Sequence, residues 1–297
     1  MMKENKKAID NSIQGFHETK KHTEFMFPYN VYLCTIPDDF PSVFLHWQDT
    51  MEIIYIKKGS GTAQVDLTIF EVHAGDIVLV PPGHLHALGQ LQNQHMEYEN
   101  IIFDLSLLGS RMIDICSQKY LLPLQKNNLH FPPLITPQDE YYPMISACLN
   151  DADDLCETRG AGFELGVKAD IMKLFSIIFA HYDVKRNVKE MPSDIERLKS
   201  VVHYIEENYQ NPIKIEDAAL KCGYSPSHFM RWFKQMTGTS FIQYLNRFRL
   251  EKSYQELKNT DRTILEISEL TGFDNLSNFN RQFKKQFGAT PRQLRNT

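Results

Sequence analysis

The sequence predicts a multidomain α+β protein, with a β-barrel and a helical extension in the N-terminal half and an all-α domain after them. Three observations indicate this fold class. Short β-branched and aromatic runs separated by Gly, Pro and Asp fill 25–104, which is typical of a small barrel or sandwich. Helical periodicity follows from residue 107. A glycine-centred segment then occurs twice in the last hundred residues, about fifty residues apart.

The expected domain organisation follows these changes in composition. We expect a flexible arm over 1–22, the barrel over 23–106, a helical extension that serves dimerisation over 107–182, a charged linker over 183–193 and the all-α domain over 194–297. The chain of 297 residues has a net charge of −5, yet the last domain holds 16 Lys and Arg against 12 Asp and Glu. The basic residues therefore concentrate in the domain that contains the repeat, as binding to phosphate groups requires.

Cysteine usage and hydropathy indicate the cellular compartment in which the protein is expected. Five cysteines without a CxxC pair fit a reducing cytoplasm better than a disulfide scaffold. The N-terminal lysines have no apolar segment behind them, so no signal peptide is expected. The most apolar window, 174–180, is far shorter than the about 20 residues of a membrane span. We therefore expect a cytoplasmic protein that does not bind a membrane.

The predicted barrel contains two segments that resemble the motifs of the cupin fold. Strands are predicted over 52–57, 61–65, 77–80 and 98–103. After the third strand, the cupin pattern of Gly, five residues, Pro-x-Gly, two residues and His is matched by Gly75, Pro81, Gly83 and His86. The first cupin motif is matched upstream by His46, Glu52 and Gly59, although Gln48 replaces its second His. A barrel of this kind has room for one small ligand.

The polar and aromatic residues of these motifs are candidate ligand-binding residues. Three His and one Glu can hold a divalent ion, but one of the four is missing here, so we expect no metal and no cofactor. Ring faces and hydrogen-bonding groups for a hydroxylated effector such as a sugar are offered by His46, Trp47, Glu52, Tyr55, His84 and His86. Plain core packing is the alternative for the aromatic residues. A metal-dependent enzyme joined to the second domain, or a purely structural barrel, also remains open.

Helical periodicity dominates between the barrel and the linker. Helices are predicted over 107–122, where Pro123 ends the first one, and over 141–158 and 163–182. In the last helix a wide apolar face is approximated by Leu165, Ala169, Met172, Phe175 and Phe179. Such a face packs equally well on the barrel or on a second copy of the chain, and the sequence does not decide between these.

Each copy of the repeat is expected to form two helices joined by a sharp turn. The first helix stops at Gly223, where a left-handed residue fits. Ser225 and Pro226 then cap and begin the second helix, whose inward face carries Phe229 and Phe233. The second copy has the same arrangement around its own equivalent residues, which are Gly272, Phe279 and Phe283. This is the helix-turn-helix layout, whose second helix enters the major groove of DNA.

Residues 205–295 together resemble the DNA-binding domain of the AraC family of bacterial transcription regulators. The first copy matches at Gly223, Tyr224, Ser225, Phe229, Arg231, Phe233, Lys234, Gly238, Arg249 and Leu250. The second matches at Ile264, Ile267, Gly272, Phe273, Phe279, Arg281, Phe283, Lys284, Gly288, Thr290, Pro291 and Arg295. Ser253, Ser268 and Leu294 depart from the usual residues but are small or apolar. Many members of the family carry a ligand-sensing barrel in front of this domain.

The resemblance implies a ligand-responsive regulator rather than an enzyme. Such a regulator would bind double-stranded DNA as a homodimer, with RNA polymerase as a further partner, and would activate genes for carbohydrate uptake or use. A long helix over 241–257 would set the two units about one DNA turn apart. The implied DNA-binding residues are Ser227, Met230, Arg231, Lys234, Leu276, Ser277, Asn280, Arg281, Lys284 and Lys285. The alternatives for each arginine are a solvated or ion-paired surface residue, or a residue that braces the fold. Since Met230 and Asn280 differ, the two units should prefer different bases.

Overall fold

The computed structural model describes residues 17–18, 21–39, 42–109, 114–186 and 193–295. The chain divides into two compact units, with the boundary between residues 191 and 192. Residues 17 and 18 group with the C-terminal unit. The N-terminal unit is rich in strands and carries helices after them, whereas the C-terminal unit is helical. The predicted α+β class is confirmed.

The N-terminal unit is built from two sheets that share one long strand. The strands are β1 (Tyr29–Ile36), β2 (Ser42–His46), β3 (Met51–Val65), β4 (Thr68–His73), β5 (Ile77–Val80), β6 (His86–Gln90), β7 (Met96–Phe103), β8 (Leu129–His130), β9 (Leu134–Ile135) and β10 (Lys185–Arg186). The first half of β3 pairs with β5 and β7, and the second half pairs with β4 and β6. β1 extends the first sheet and β2 the second. The predicted strands 52–57 and 61–65 are therefore one continuous strand.

Both faces of the first half of β3 are buried, but in different surroundings. Successive side chains of a strand point to opposite faces. Met51, Ile53 and Tyr55 belong to the core that the sheet forms with the helices. Glu52 and Ile54, at 3% and 1% exposure, are buried on the other face, which is the inside of the barrel. The interior side of β3 is thus where a barrel ligand site has to be sought.

The helical extension packs on the outer face of this sheet. Its helices are α1 (Leu122–Gln125), α2 (Tyr142–Thr158) and α3 (Phe163–His181), the last two close to the predicted bounds. The prediction of a helix over 107–122 that Pro123 terminates is wrong. A 3-10 turn covers Leu105–Leu107. Residues 115–125 are helical, with a π-helical segment over Ser117–Leu121, and the helix continues through Pro123 in α1. Residues 110–113 lie outside the described residues.

The buried face of α3 differs from the predicted one. Its core positions are Val167, Ile171, Leu174 and Ile178, whereas the predicted Leu165 is 75% exposed. Phe175 does lie in the core, with its ring centroid 6.3 Å from that of Phe103 on β7. Of the two possibilities that the sequence left open for the apolar face of α3, packing on the barrel is the one observed.

The boundaries of the arm and the linker differ from expectation. Two residues of the predicted 183–193 linker form β10, which pairs with β8 of the N-terminal unit, and residues 187–192 lie outside the described residues. Most of the predicted arm also lies outside them. At its end, however, the His22 carbonyl accepts a hydrogen bond from the Asn30 side chain at 2.9 Å. The His22 ring meets Tyr32 edge-on at 5.6 Å, so this part of the segment packs on β1.

The C-terminal unit contains two helix pairs around a long helix. Its helices are α4 (Ser193–Asn208), α5 (Ile215–Cys222), α6 (Pro226–Thr237), α7 (Phe241–Asn259), α8 (Ile264–Leu270), α9 (Leu276–Phe287) and α10 (Pro291–Arg295). The pairs α5–α6 and α8–α9 are the two copies of the repeat. Gly223 ends α5 with a φ of 68°, and Ser225 caps α6. The inward phenylalanines of both copies are fully buried, at 1% exposure or less.

Arg249 of helix α7 joins the connection after α4 to the turn of the second copy. The Arg249 guanidinium donates to the backbone carbonyls of Tyr209 and Asn211, both at 2.8 Å. Its Nε also lies 2.9 Å from the place that a Cβ on Gly272 would take. The connection after α4 and the turn of the second copy therefore meet at one side chain. Ser253 lies four residues after Arg249, so the two side chains share one face of α7. On that face Ser253 Oγ forms a hydrogen bond with Thr271 Oγ1 of the second copy at 2.7 Å.

Candidate ligand site and nucleic-acid interface

Two histidines and a glutamate meet inside the barrel, and we call them the His-Glu-His cluster. His46 ends β2, Glu52 lies near the start of β3 and His86 begins β6. The β2–β6 pairing sets His46 opposite His86, with ring centroids 4.0 Å apart. His86 Nε2 lies 2.9 Å from Glu52 Oε2, and one ligand atom from each residue lies within 4.8 Å of the others. The structure thus brings three of the predicted ligand-binding residues together.

Backbone carbonyls fix the orientation of both imidazole rings. His46 Nδ1 lies 2.8 Å from the Phe44 carbonyl, and His86 Nδ1 lies 3.2 Å from the His84 carbonyl. Because a carbonyl oxygen only accepts, each Nδ1 carries the proton and donates it. In the neutral ring this leaves the lone pair on Nε2. The cluster therefore combines two nitrogen lone pairs with a carboxylate, a set that suits a cation or the hydroxyl groups of a small molecule.

Gln48 is a further member of this site. Its side-chain Nε2 donates to Glu52 Oε2 at 2.7 Å. Gln48, Glu52 and His86 are at most 3% exposed, so this polar group is held away from water. The sequence showed Gln48 only as the residue that replaces a histidine. Gln48 occupies a motif position between two candidate ligands, and a buried polar side chain there has to find a polar partner. This position was the sequence signal that could have identified Gln48 as a site residue.

The structure does not bring Tyr55, another predicted ligand-binding residue, to the His-Glu-His cluster. Tyr55 lies three residues after Glu52 on the same strand, so the two side chains point to opposite faces. The Tyr55 hydroxyl lies 3.3 Å from that of Tyr142 on α2, and Lys57 Nζ sits 4.3 Å from the centre of its ring. Tyr55 joins the sheet to the helical extension, as the core-packing alternative had it.

His84 belongs to a separate hydrogen-bonded group. Its Nδ1 lies 2.7 Å from Asp66 Oδ2, and Asp66 Oδ1 accepts from the Leu85 backbone N–H at 3.1 Å. The His84 ring also meets His130 edge-on at 5.5 Å. Burial lowers the pKa of His130, and the nearby His84 ring lowers it further. His84 therefore ties the β5–β6 loop to the turn at Asp66, a partner that sequence analysis missed. Trp47 is buried directly after His46.

The second candidate site is the outward side of α6 and α9, which we call the basic faces. On α6 the predicted residues Ser227, Met230, Arg231 and Lys234 are exposed. On α9 the predicted residues Leu276, Ser277, Arg281, Lys284 and Lys285 are exposed, and Asn280 is half-buried. Neither helix contains Asp or Glu. Each face therefore presents net positive charge together with side chains that can contact bases.

The basic faces are held by contacts that the repeat alone did not reveal. In the first copy, the Tyr224 hydroxyl donates to Asp194 of α4 at 3.0 Å, and Arg197 donates to the same carboxylate at 3.2 Å. In the second copy, the Asn275 side chain caps α9 by accepting from the Asn278 backbone N–H at 2.9 Å. Arg281 in turn donates to the Asn278 side chain at 3.0 Å, so its guanidinium is oriented along the helix.

Comparisons with known proteins match both parts of the chain. An AraC-like ligand binding domain matches residues 30–175, and a helix-turn-helix domain matches residues 215–297. The chain is 23% identical over 283 residues to the uncharacterized HTH-type transcriptional regulator YdeC of Bacillus subtilis, covering 94% of this chain and 95% of YdeC. It is 32% identical over 105 residues to the multiple antibiotic resistance protein MarA of Escherichia coli, covering 35% of this chain and 83% of MarA.

The match to a structure of ToxT from Vibrio cholerae covers 90% of this chain and 98% of that chain at 16% identity, with a TM-score of 0.43. No helix in the described part of the chain is long and apolar enough to cross a membrane. YdeC is described as a transcriptional regulator, which agrees with the expected class of protein. With MarA matched over most of its length and both domain types present in order, the chain belongs to the AraC family of transcription regulators.

Proposed function

We propose that α6 and α9 read double-stranded DNA together and that a small molecule bound at the His-Glu-His cluster regulates this binding. The observation that carries the proposal is the pair of basic faces. Each has buried phenylalanines beneath it, exposed Arg and Lys above it and no acidic residue within the helix. Helix α7, of 19 residues, would span about 28 Å at 1.5 Å per residue. That length is of the order of one turn of DNA, about 34 Å.

Individual roles follow from side-chain chemistry. Arg231 and Arg281 would each donate two hydrogen bonds to a guanine, and Asn280 would pair with an adenine. Met230 and Leu276, which are 44% and 36% exposed, would contact thymine methyl groups. Ser227 and Ser277 lie in the first turn of their helices, which is the part of a recognition helix that faces base edges. The lysines Lys234, Lys284 and Lys285 would bind phosphates.

The experiment that tests the proposal compares two charge-matched double variants of the full chain. Arg231→Ala with Arg281→Ala removes one arginine from each basic face. Lys119→Ala with Lys126→Ala removes two exposed charges from the N-terminal unit. In fluorescence anisotropy with promoter DNA at fixed salt, we expect the arginine pair to weaken binding by about 100-fold, since each base contact is worth about 1–3 kcal/mol. The lysine pair should bind as the unmodified chain does. Equal affinity for both variants would contradict the role of the arginines.

We further propose that the effector is a sugar-like molecule and that its binding activates genes for carbohydrate uptake or use, with RNA polymerase as the partner. The hydrogen-bonding set of Gln48, Glu52 and the two histidines supports a hydroxylated ligand. A melting-temperature screen against sugars and other metabolites tests this, because a ligand that binds only the folded chain raises Tm. A transcription assay with and without the ligand then reports the direction of regulation. No shift with any sugar would refute the effector class.

We also propose that the chain forms a homodimer, and the outer surface of the helical extension supports this. With the core face of α3 turned to the sheet, Leu165 and Met144 remain 75% and 47% exposed. Sedimentation velocity of Leu165→Glu tests whether this surface joins two copies. The matched control is Leu220→Glu, since Leu220 is 78% exposed and lies in the other unit. A dimer that persists in Leu165→Glu would exclude Leu165 from the interface.

A further inference from the structure

We propose that Asn278 is a positioning residue that orients Arg281 toward DNA, and that the α9 half of the binding site therefore discriminates between bases more strongly than the α6 half. Arg231 and Arg281 are taken here as residues that contact bases, so the inference rests on the proposed function. The two copies share one motif, but the side chain next to each arginine differs.

Arg281 is held by a neighbour on its own helix. One of its terminal nitrogens donates to Asn278 Oδ1 at 3.0 Å, and residues three apart on a helix share one face. A guanidinium has five N–H donors in a planar fork. The bond to Asn278 uses one of them and leaves the others for a base. Arg281 is exposed, and without this bond its side chain would sample more rotamers.

Asn278 is itself fixed at the start of α9. It is the third residue of that helix and is half-buried. The Asn275 side chain accepts a hydrogen bond from the Asn278 backbone N–H at 2.9 Å. This cap uses only the backbone of Asn278, so the side-chain oxygen remains available to Arg281. The first residues of a recognition helix lie beside the base edges, which would place the bond at the protein–DNA interface.

The equivalent residue of the first copy is His228, and it makes a different contact. The His228 ring lies against that of Tyr224, with ring centroids 4.3 Å apart. Arg231 is exposed, and it forms no hydrogen bond among the residues that the structure describes. The Arg231 side chain therefore has to be immobilised when it meets a base, whereas that of Arg281 is partly ordered beforehand.

One sequence difference between the copies accounts for this. Tyr224 is half-buried, and its hydroxyl donates to Asp194 of α4 at 3.0 Å, which keeps the ring where His228 can cover it. The second copy has Phe273 at this position, without a hydroxyl. Phe273 is 5% exposed, and its ring centroid lies 5.1 Å from that of Phe279. The core takes up this ring, so the third residue of α9 is left to bond the arginine.

The size of the effect follows from side-chain entropy. Immobilising one long side chain at an interface lowers affinity by about 2- to 12-fold. Because Asn278 removes part of this cost for Arg281, Asn278→Ala should weaken specific binding by about two- to fivefold. Arg281→Ala should accordingly lose more affinity than Arg231→Ala. Unrelated DNA, which is held through its phosphates, should be bound as before.

The test uses the full chain and a duplex that this chain selects from random DNA, together with duplexes in which each base pair is replaced in turn. Affinities are measured by fluorescence anisotropy at fixed salt. Asn278→Ala should reduce the preference at the base pair that Arg281→Ala also relaxes. His228→Ala is the matched control from the other copy. It should leave unchanged the preference at the base pair that Arg231→Ala relaxes.

A double-mutant cycle separates positioning from a direct contact between Asn278 and DNA. When Asn278 acts through Arg281, adding Asn278→Ala to Arg281→Ala should cause less than about twofold further loss of affinity. The melting temperature of Asn278→Ala should match that of the unmodified chain, because the cap by Asn275 is retained. If it falls, Asn278→Leu replaces the alanine variant, since leucine keeps the branched shape of the side chain without its oxygen.

Each outcome decides the proposal. A loss of base preference in Asn278→Ala that disappears in the Arg281→Ala background supports it, together with unchanged preference in His228→Ala. Losses that add in free energy, an equal effect of His228→Ala in its own copy, or a greater loss with Arg231→Ala than with Arg281→Ala overturn it.

The same measurements distinguish this proposal from the proposed function. If Arg281→Ala binds the selected duplex as the unmodified chain does, base reading by Arg281 is refuted and the positioning role is refuted with it. If Arg281→Ala loses affinity and Asn278→Ala does not, the role of Arg281 stands and only the role of Asn278 is refuted.

Discussion

Replacing Gly272 with alanine should destabilise the C-terminal unit more than the same change at Gly223, although the two glycines are equivalent positions of the repeat. Both have left-handed backbones, with φ of 85° and 68°, which costs a residue with a Cβ about 1–2 kcal/mol. At Gly223 a Cβ would meet no atom within 4 Å. At Gly272 it would overlap the carbonyl oxygen of Tyr209 and lie 2.9 Å from Arg249 Nε.

The difference between the two variants can be worked from these contacts. The left-handed backbone penalty, and the loss of chain entropy in the unfolded state, are common to both and cancel. Alanine at Gly272 has to displace Arg249, which bonds the Tyr209 and Asn211 carbonyls. A hydrogen bond from a charged donor is worth about 1.5–3 kcal/mol. We therefore expect Gly272→Ala to lose about 2–3 kcal/mol more than Gly223→Ala.

Guanidinium unfolding followed by tryptophan fluorescence measures this difference. Trp47 and Trp232 lie in different units, so a Trp47→Phe background reports the unit that contains both glycines. Arg249→Ala supplies a further check, because adding Gly272→Ala to it should cost less than Gly272→Ala alone when the two changes break the same bonds. If Gly272→Ala and Gly223→Ala agree within about 0.5 kcal/mol, the contact between Arg249 and Gly272 does not stabilise the fold.

Two further outcomes follow from buried polar groups. Burial raises the pKa of Glu251 to about 8 against the opposing effect of Arg247, from an ordinary value of 4.5. The folded chain therefore binds more protons than the unfolded chain between these values, and stability falls as pH rises through that window, by up to about 1.4 kcal/mol per pH unit. Glu251→Gln should flatten this slope in unfolding titrations from pH 5 to 8, and an unchanged slope would contradict the assignment. Tyr55→Phe should leave effector affinity unchanged in calorimetry, because only its contact with Tyr142 is lost. A tenfold loss of affinity would place Tyr55 at the ligand.

The helical elements were the most predictable part of the fold. The repeat identified its glycines and inward phenylalanines, because local turn chemistry and i, i+4 spacing determine both. The face of α3 was less predictable, since apolar side chains outnumber polar ones around that helix and the sequence period is weak. Pro123 was misleading because a proline inside a helical pattern usually ends the helix, whereas here the helical stretch 115–125 continues through it after a π-helical segment.

The candidate ligand site was also predictable only in part. Motif spacing identified His46, Glu52 and His86, and their convergence was confirmed by geometry. The separation of Tyr55 from Glu52 could have been predicted from the sequence, because side chains three residues apart on a strand point to opposite faces. The sequence could not predict that His84 bonds to Asp66 or that Arg249 bonds to Tyr209. These partners lie 18 and 40 residues away in the chain, and only the tertiary fold brings such groups together.

Selection of binding sites from random DNA with the full chain is the most direct test of a two-part DNA reader. We expect each subunit to select two different short sequences about one helical turn apart. Asn280→Ala should relax the base preference in one of them, and Met230→Ala should relax it in the other. A single selected sequence, or one sequence altered by both variants, would show that only one helix pair reads bases and would contradict the proposal.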